Sequence, residues 1–393
     1  MRLTEELIIR INQAFSILNP NNEFDIEIIE LKIGDEEVEL SFPRDDVTFS
    51  IDVFLTYLSE FDSIKFDKEK VTTNRFTQIP IHSSGKPLDY IISEIKFSVE
   101  TPTYKIRLVE NPILIGFSVT KLGLYDKFAL PCSSYVGLEI EYQSLEDRLS
   151  EEAELKLIKS FLFEISYISN SNIDLSMIEE SGAFDDYEDP VKQNIILTSL
   201  SNFSEGMDLY RKALNSTDEE ITFLYFYKII EYYSPIVASR VAYESLSKKI
   251  ETLKYKNPTN QDLSLIFSIA DKFRVSLSDK ELAQTLLKSS IDIVDLFPKL
   301  PDNLKTRISK NFHFKNTELN YSSKDETLSG VISSVGTILY STINSIVHAK
   351  SNYKSDNNEC NTQDLPTLNV FLKDACFSSI NWNNRLPEHL KIE

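Results

Sequence analysis

The chain has 393 residues, 41% of them hydrophobic and 26% charged, with a net charge of −20. That composition excludes wholesale disorder, because enough apolar surface is present to build a core, and at roughly 100–200 residues per domain the length suggests two domains. The charge is unevenly placed: residues 1–190 hold 17 Lys and Arg against 37 Asp and Glu, whereas residues 191–393 hold 24 of each. The first half is therefore a poor surface for holding nucleic acid by charge alone; the charge of the second half neither favours nor forbids RNA. Apolar runs read as broken by charge before the ~18 residues that a membrane span requires, and Glu5, Glu6 and Arg10 interrupt any signal-peptide core. No membrane segment is expected. Cys132, Cys360 and Cys376 are odd in number and widely spaced, which fits neither a disulfide framework nor a zinc site. A reducing cytoplasm is the expected compartment.

In chain order, residues 4–18 read as an amphipathic helix, with Leu7, Ile8, Ile11, Phe15 and Leu18 on one stripe and Thr4 as cap. Period-two alternation follows: Phe24, Ile26 and Ile28, then a phase slip to Ile29, Leu31 and Ile33 that a bulge would explain. Further alternating sets are Val38, Leu40 and Phe42; Val47, Phe49, Ile51 and Val53; Ile95, Phe97 and Val99; Tyr104, Ile106 and Leu108; and Val136, Leu138, Ile140 and Tyr142. They predict a mostly antiparallel β domain over residues 1–145, sandwich and barrel being equally compatible.

The period changes near residue 146. Residues 151–167 read as a helix with Leu155, Ile158, Phe161, Leu162 and Ile165 on one face. The acidic stretch 181–190 reads as a surface loop. From Ser201 onward only helices are expected. Residues 218–233 form the most strongly marked one, with a Ser216–Glu219 capping box and Pro235 as terminator; its aromatic middle, 223–227, reads as core. A helix over 326–350 carries Leu328, Val331, Ile332, Val335, Ile338, Leu339, Ile343, Ile346 and Val347 on one stripe, and Thr337, Ser341, Asn344, Ser345 and His348 on the other side. A final helix covers 365–380. The fold class is α+β, with an acidic β-rich domain (1–145) followed by an all-α helical bundle (146–393).

The sequence contains no Gly-rich phosphate loop, HExxH, CxxC or GxSxG. Four histidines, His82, His313, His348 and His389, are present for acid–base work. Arg307 and His313 make an Arg-x5-His spacing that reads as chance, and Cys132 reads as a small core residue.

Two segments carry a resemblance. The first is Leu209-Tyr210-Arg211-Lys212-Ala213-Leu214 leading into the helix that ends Tyr227-Lys228-Ile229-Ile230-Glu231-Tyr232-Tyr233; the second is Ile343-Asn344-Ser345-Ile346-Val347-His348-Ala349-Lys350. Together they resemble bacterial HEPN proteins of the ApeA-like kind, over roughly residues 200–350, the second segment being similar to that family's Arg-Asn-x-x-x-His. Ile343 stands where the family carries Arg. The resemblance implies a metal-independent endoribonuclease of toxin or antiviral-defence type, needing no cofactor. It would act on RNA, possibly tRNA, as a homodimer through the helical domain, with the β domain responding to an unknown trigger or regulatory partner. His348 would serve as general acid or base, an imidazole being suited to this because it titrates near neutrality, and Asn344, one turn earlier, would position the phosphate. Lys350, Glu231 and Arg240 are the supporting candidates; Glu231 is expected to pair with Arg240 or a Tyr hydroxyl. The main alternative is a catalytically degenerate module used for dimerisation or partner binding; a third, which the resemblance also allows, is nucleotide binding without hydrolysis, for which the sequence holds no phosphate-binding motif.

Overall fold

The computed structural model describes residues 37–126, 129–178, 193–197, 199–254, 259–274, 278–314, 319–348 and 358–391, together with Ile9, Gln13 and residues 16–18. The strands expected over 24–33, the loop 181–190 and most of the helix expected over 4–18 lie outside the described residues. Two compact units are present, Met1–Leu200 and Ser201–Glu393. The break thus falls after Leu200 and not at 145/146. The reason is physical: the helix that starts at Glu151 buries Ile158, Phe161, Leu162 and Ile165 against Phe97, Ile140 and Tyr142 of the sheet, so it belongs to the first unit.

The first unit opens with a hairpin, β1 (Glu37–Phe42) and β2 (Asp45–Ser50), paired antiparallel. Helix α1 (Ile51–Ser59) follows at once. Here the alternation through Ile51 and Val53 misleads. Ser50 accepts from the Val53 amide and caps a helix, and Ile51, Phe54, Leu55 and Leu58 form its buried stripe.

The main sheet uses β3 (Val71–Thr72), β4 (Phe76–Ser84), β5 (Ile95–Glu100), β6 (Tyr104–Glu110), β7 (Val136–Tyr142), β8 (Asn172–Leu175) and β9 (Gln193–Leu197). Its order is β3-β4-β7-β6-β5-β9, with β8 paired to β4. Every pairing is antiparallel except β5 with β9. It is an open sheet with helices on both faces, not a sandwich or barrel. Helix α2 (Leu88–Glu94) runs into β5, and helix α3 (Ile113–Leu122) ends at Gly123, whose φ of 67° gives the left-handed cap. Even-numbered β7 residues join α4 (Glu151–Ser169) in one core. On the other face Phe76 packs with α1 and α3 in a second core that includes Cys132. Each fully buried Ile or Phe in these cores is worth at most ~1.5–3 kcal/mol.

Three buried carboxylates are each satisfied. Glu139 takes Arg107, Tyr57 and Gln78. Glu154 takes Lys70 (3.2 Å), Thr77 (3.0 Å) and Tyr142 (2.6 Å). Asp45 takes the Cys132 and Ser133 amides and the Ser133 hydroxyl. These three groups of the acidic unit are internal struts.

The second unit is helical: α5 (Glu205–Asn215), α6 (Glu219–Leu253), α7 (Asn260–Arg274), α8 (Asp279–Ser290), α9 (Asp302–Asn311), α10 (Asp325–His348) and α11 (Leu365–Asn384). Helix α6 packs against α5, α8 and α11. It begins as expected, although the cap is Asp218, which accepts from the amides of Glu220 and Ile221. Pro235 does not end it; the helix runs 35 residues, with Pro235 inside. A missing amide costs one ladder bond, and the burial of Ile236 and Val237 beyond it (4% and 1% exposed) keeps the helix going.

Helix α10 corrects the expectation about membrane spans. Residues 327–347 contain no charged side chain, and the helix is long and apolar enough to cross a membrane by length and composition. In the structure it is a core helix: Val331, Val335 and Leu339 are wholly buried, and Gly336 lets Gln284 of α8 approach to 2.6 Å of where a Cβ would sit.

Candidate functional site

The lines of α10 decide which residues can act together. Its apolar stripe holds through Leu339 and then weakens. Ile343 and Ile346 are half-buried and Val347 is exposed, while Ser341 and Thr342, placed by periodicity towards the polar side or left off the stripe, are buried. Thr342 explains the change of face: its Oγ1 donates to the Ile338 carbonyl (2.7 Å) and accepts from the Cys360 amide (2.9 Å). The chain at Cys360 is thus tied to the last turns of α10.

Tyr340, Asn344 and His348 are spaced four residues apart on α10, so they fall along one line of the helix. His348 is its last residue. Asn344 is half-buried. Lys350 lies outside the described residues.

Tyr340 connects this line to α6. The phenol of Tyr227 is buried, and its pKa is raised by that burial first and then by the charges of Glu231 and Asp279, with Tyr340 also in reach. Glu231 is exposed by surface area, yet its pKa is raised, first by partial desolvation of the carboxyl and then by Asp279, with Lys228 opposing. Asp279 opens α8 just after Ser278, whose capping box with Glu281 fixes the start of that helix. Five residues further on, Gln284 donates to the Ser333 carbonyl (2.9 Å) and Thr337 Oγ1 (3.1 Å) of α10. Tyr227 of α6 thus lies within electrostatic reach of Glu231, of Asp279 at the start of α8 and of Tyr340, which stands one turn before Asn344 on α10. A carboxyl with raised proton affinity beside phenols is suited to accepting or sharing a proton.

Of the two partners expected for Glu231, Arg240 is corrected, whereas a Tyr hydroxyl, that of Tyr227, is within its electrostatic reach. Arg240 bonds Glu244, one turn further along α6, at 3.0 Å; Glu231 instead meets Lys228 and Asp279. Nor does Arg240 join the α10 line. It borders a separate cavity of about 670 Å³ with Tyr243, Trp382, Arg385 and His389. Sequence reasoning missed Tyr227, Asp279 and Tyr340. The i, i+4, i+8 spacing of Tyr340 with Asn344 and His348 was the available signal; nothing local marks Asp279.

The aromatic run of α6 is core as expected, with Phe223, Phe226 and Tyr227 at 0–2% exposure. Cys132 is fully buried and its thiol pKa is pushed up by burial and by Asp45, so it is no nucleophile. His313 is exposed, in the turn after α9, with φ of 56°. In the first unit two cavities of about 560 and 430 Å³ share Glu69, Lys70, Glu151 and Glu154 in their linings; the larger is floored by Ile79, Ile158 and Leu175 and bordered by His82.

Comparison with protein-family models, with curated proteins and with solved structures finds no match for this chain.

Proposed function

We propose that the helical unit is a metal-independent endoribonuclease of HEPN type, acting on RNA as a homodimer in the cytoplasm, and that the acidic β unit holds it in check until a trigger arrives, as in toxin and antiviral-defence effectors. The observation that carries this reading is the line Tyr340–Asn344–His348 on α10, joined at Tyr340 to the Tyr227–Glu231–Asp279 cluster. His348 takes the proton of a ribose 2′-hydroxyl, the 2′-oxygen attacks the neighbouring phosphorus, and the 5′-oxygen leaves with a proton from the imidazolium of the second copy. The products are a 2′,3′-cyclic phosphate and a free 5′-hydroxyl. Asn344 donates its amide to a phosphate oxygen, and Lys350 supplies the positive charge that the family takes from Arg, as a point charge without a bidentate fork. Arg240 pairs with Glu244 on its own helix and is not given that role.

A second reading rests on one specific residue. Ile343 places a half-buried hydrocarbon where the family carries Arg, and this favours a module that has kept dimerisation or partner binding and lost catalysis.

The test is incubation of wild type and His348→Ala with total RNA and with tRNA in the presence of chelator. Cleavage by wild type, ending in cyclic phosphate and lost in His348→Ala at unchanged melting temperature, is the expected result. Intact RNA with wild type, together with cleavage by Ile343→Arg, identifies the degenerate module. Intact RNA with all three proteins rejects the nuclease for the isolated chain.

A further inference from the structure

The larger cavity of the first unit has the chemistry of a binding site that the RNA-cleavage reading does not use. Its volume, about 560 Å³, is in the range of small-molecule sites. Ile79 of β4 and Ile158 of α4, 4% and 2% exposed, form an apolar floor. Leu155 of α4 and Met177, just after β8, belong to the same lining and are 44% and 51% exposed. Large apolar side chains left in water around a concave apolar floor make an arrangement that a hydrophobic ligand covers.

The charges of the lining are unequal in sign. Among the described residues Lys70 stands against Glu69, Glu151 and Glu154. Lys70 turns to the buried carboxylate of Glu154 at 3.2 Å, and Arg148 reaches the same carboxylate at 3.8 Å. The protein thus compensates Glu154 itself, while Glu69 and Glu151 are exposed at the rim. The N-terminus of α4 does not reverse the sign. Glu151, Glu152 and Glu154 all lie in its first turn, and three carboxylates outweigh the roughly half charge of a helix end. The field of the whole unit acts in the same direction, because residues 1–190 hold 17 Lys and Arg against 37 Asp and Glu.

We propose that this cavity binds a small hydrophobic cation, with an alkyl or aryl body on Ile79, Ile158 and Met177 and an ammonium group at the carboxylates of Glu69 and Glu151. The inference gives the acidic unit a ligand class where the RNA-cleavage reading leaves its trigger unnamed, and it does not depend on the activity assigned to His348.

The full-length protein is titrated by calorimetry with octylamine and tryptamine. Octanoate and indole-3-acetate serve as their anionic counterparts, and ethylamine as a cation without the apolar body. RNA is absent, so the outcome is separate from that of the cleavage assay. The expected result is saturable binding of at least one of the two amines, about tenfold or more tighter than its anionic counterpart and about a hundredfold or more tighter than ethylamine. Met177→Ser and the pair Glu69→Gln with Glu151→Gln, all at exposed positions, should each weaken that amine by about fivefold or more without lowering the melting temperature. Four results overturn the proposal: saturation with neither amine, an anionic counterpart binding as tightly, ethylamine binding as tightly, or undiminished amine binding in either variant.

Discussion

Arg107 places two donors, Nε at 3.0 Å and Nη2 at 2.7 Å, on a single carboxylate oxygen of Glu139, while the other oxygen accepts from Gln78 Nε2 at 2.7 Å and from Tyr57. Glu139 is wholly buried. It sits on the β7 face opposite Leu138 and Ile140, where Gln78 also turns its carbonyl to the amides of Leu114 and Ile115 at the start of α3. The cluster ties three strands to two helices. Burial and the neighbouring Glu139 charge push the Tyr57 phenol pKa up, so this hydroxyl stays a donor across the usable pH range.

Removing one partner of that pair strands a charge. Arg107→Leu should cost about 3–5 kcal/mol, read as lost hydrogen-exchange protection at β6 and β7. The double variant Arg107→Met with Glu139→Gln should recover most of the loss, because the uncompensated carboxylate is gone. Equal destabilisation in the single and double variants would show that packing, not charge, sets the cost.

Gly206 is a second sharp point. A Cβ there would lie 2.6 and 2.7 Å from Cε2 and Cζ of Tyr233 and closer still to its hydroxyl, which bonds Ser204 at 2.6 Å. Gly206→Ala should destabilise the helical unit by about 1–3 kcal/mol through overpacking. Urea unfolding followed by the fluorescence of Trp382 measures this; an unchanged midpoint would mean that α5 and α6 can separate freely.

The raised pKa of Glu231 fixes a sign. The folded protein holds this proton more tightly than the unfolded chain, whose carboxyl titrates near 4.5. Folding stability is therefore lost as pH rises from that value through the folded pKa. Glu231→Gln removes the ionisation, so it should melt higher than wild type at neutral pH and alike in acid below 4.5. Paired melting curves at the two pH values decide it. A variant less stable at neutral pH would point to a favourable partner of the carboxylate, Lys228 being the cation in reach.

For α10 the contest is between core and membrane. Leu339 is wholly buried, so Leu339→Ala should cost about 2–5 kcal/mol, again seen through Trp382. The same truncation on a lipid-facing helix would leave the unfolding midpoint in place, and the purified chain would require detergent.

Much of the first unit was legible. Strands β5, β6 and β7 appear where Ile95, Tyr104 and Val136 begin their alternations, because a half-buried strand must alternate. The errors came where two periods share residues. Ile51 belongs both to an alternating set and to a helical stripe, and the Ser50 cap decides between them. Pro235 argued for an end to α6, but buried contacts on both sides outweigh one missing hydrogen bond. At the candidate site the spacing of Asn344 and His348 was plain, whereas the replacement of Arg240 by Lys228 and Asp279 beside Glu231 depends on where α8 packs.

By itself, then, the sequence determined the α+β class, the change from period two to helical period, and the set of α10 residues that share one line, because these follow from local geometry. Tertiary structure alone decided the unit boundary after Leu200, the burial of an uncharged helix that could otherwise span a bilayer, and the cavity that joins Tyr243 to Trp382 and Arg385. Each of those depends on which distant surfaces meet, and burial is settled by the partner a face finds rather than by the residues it contains.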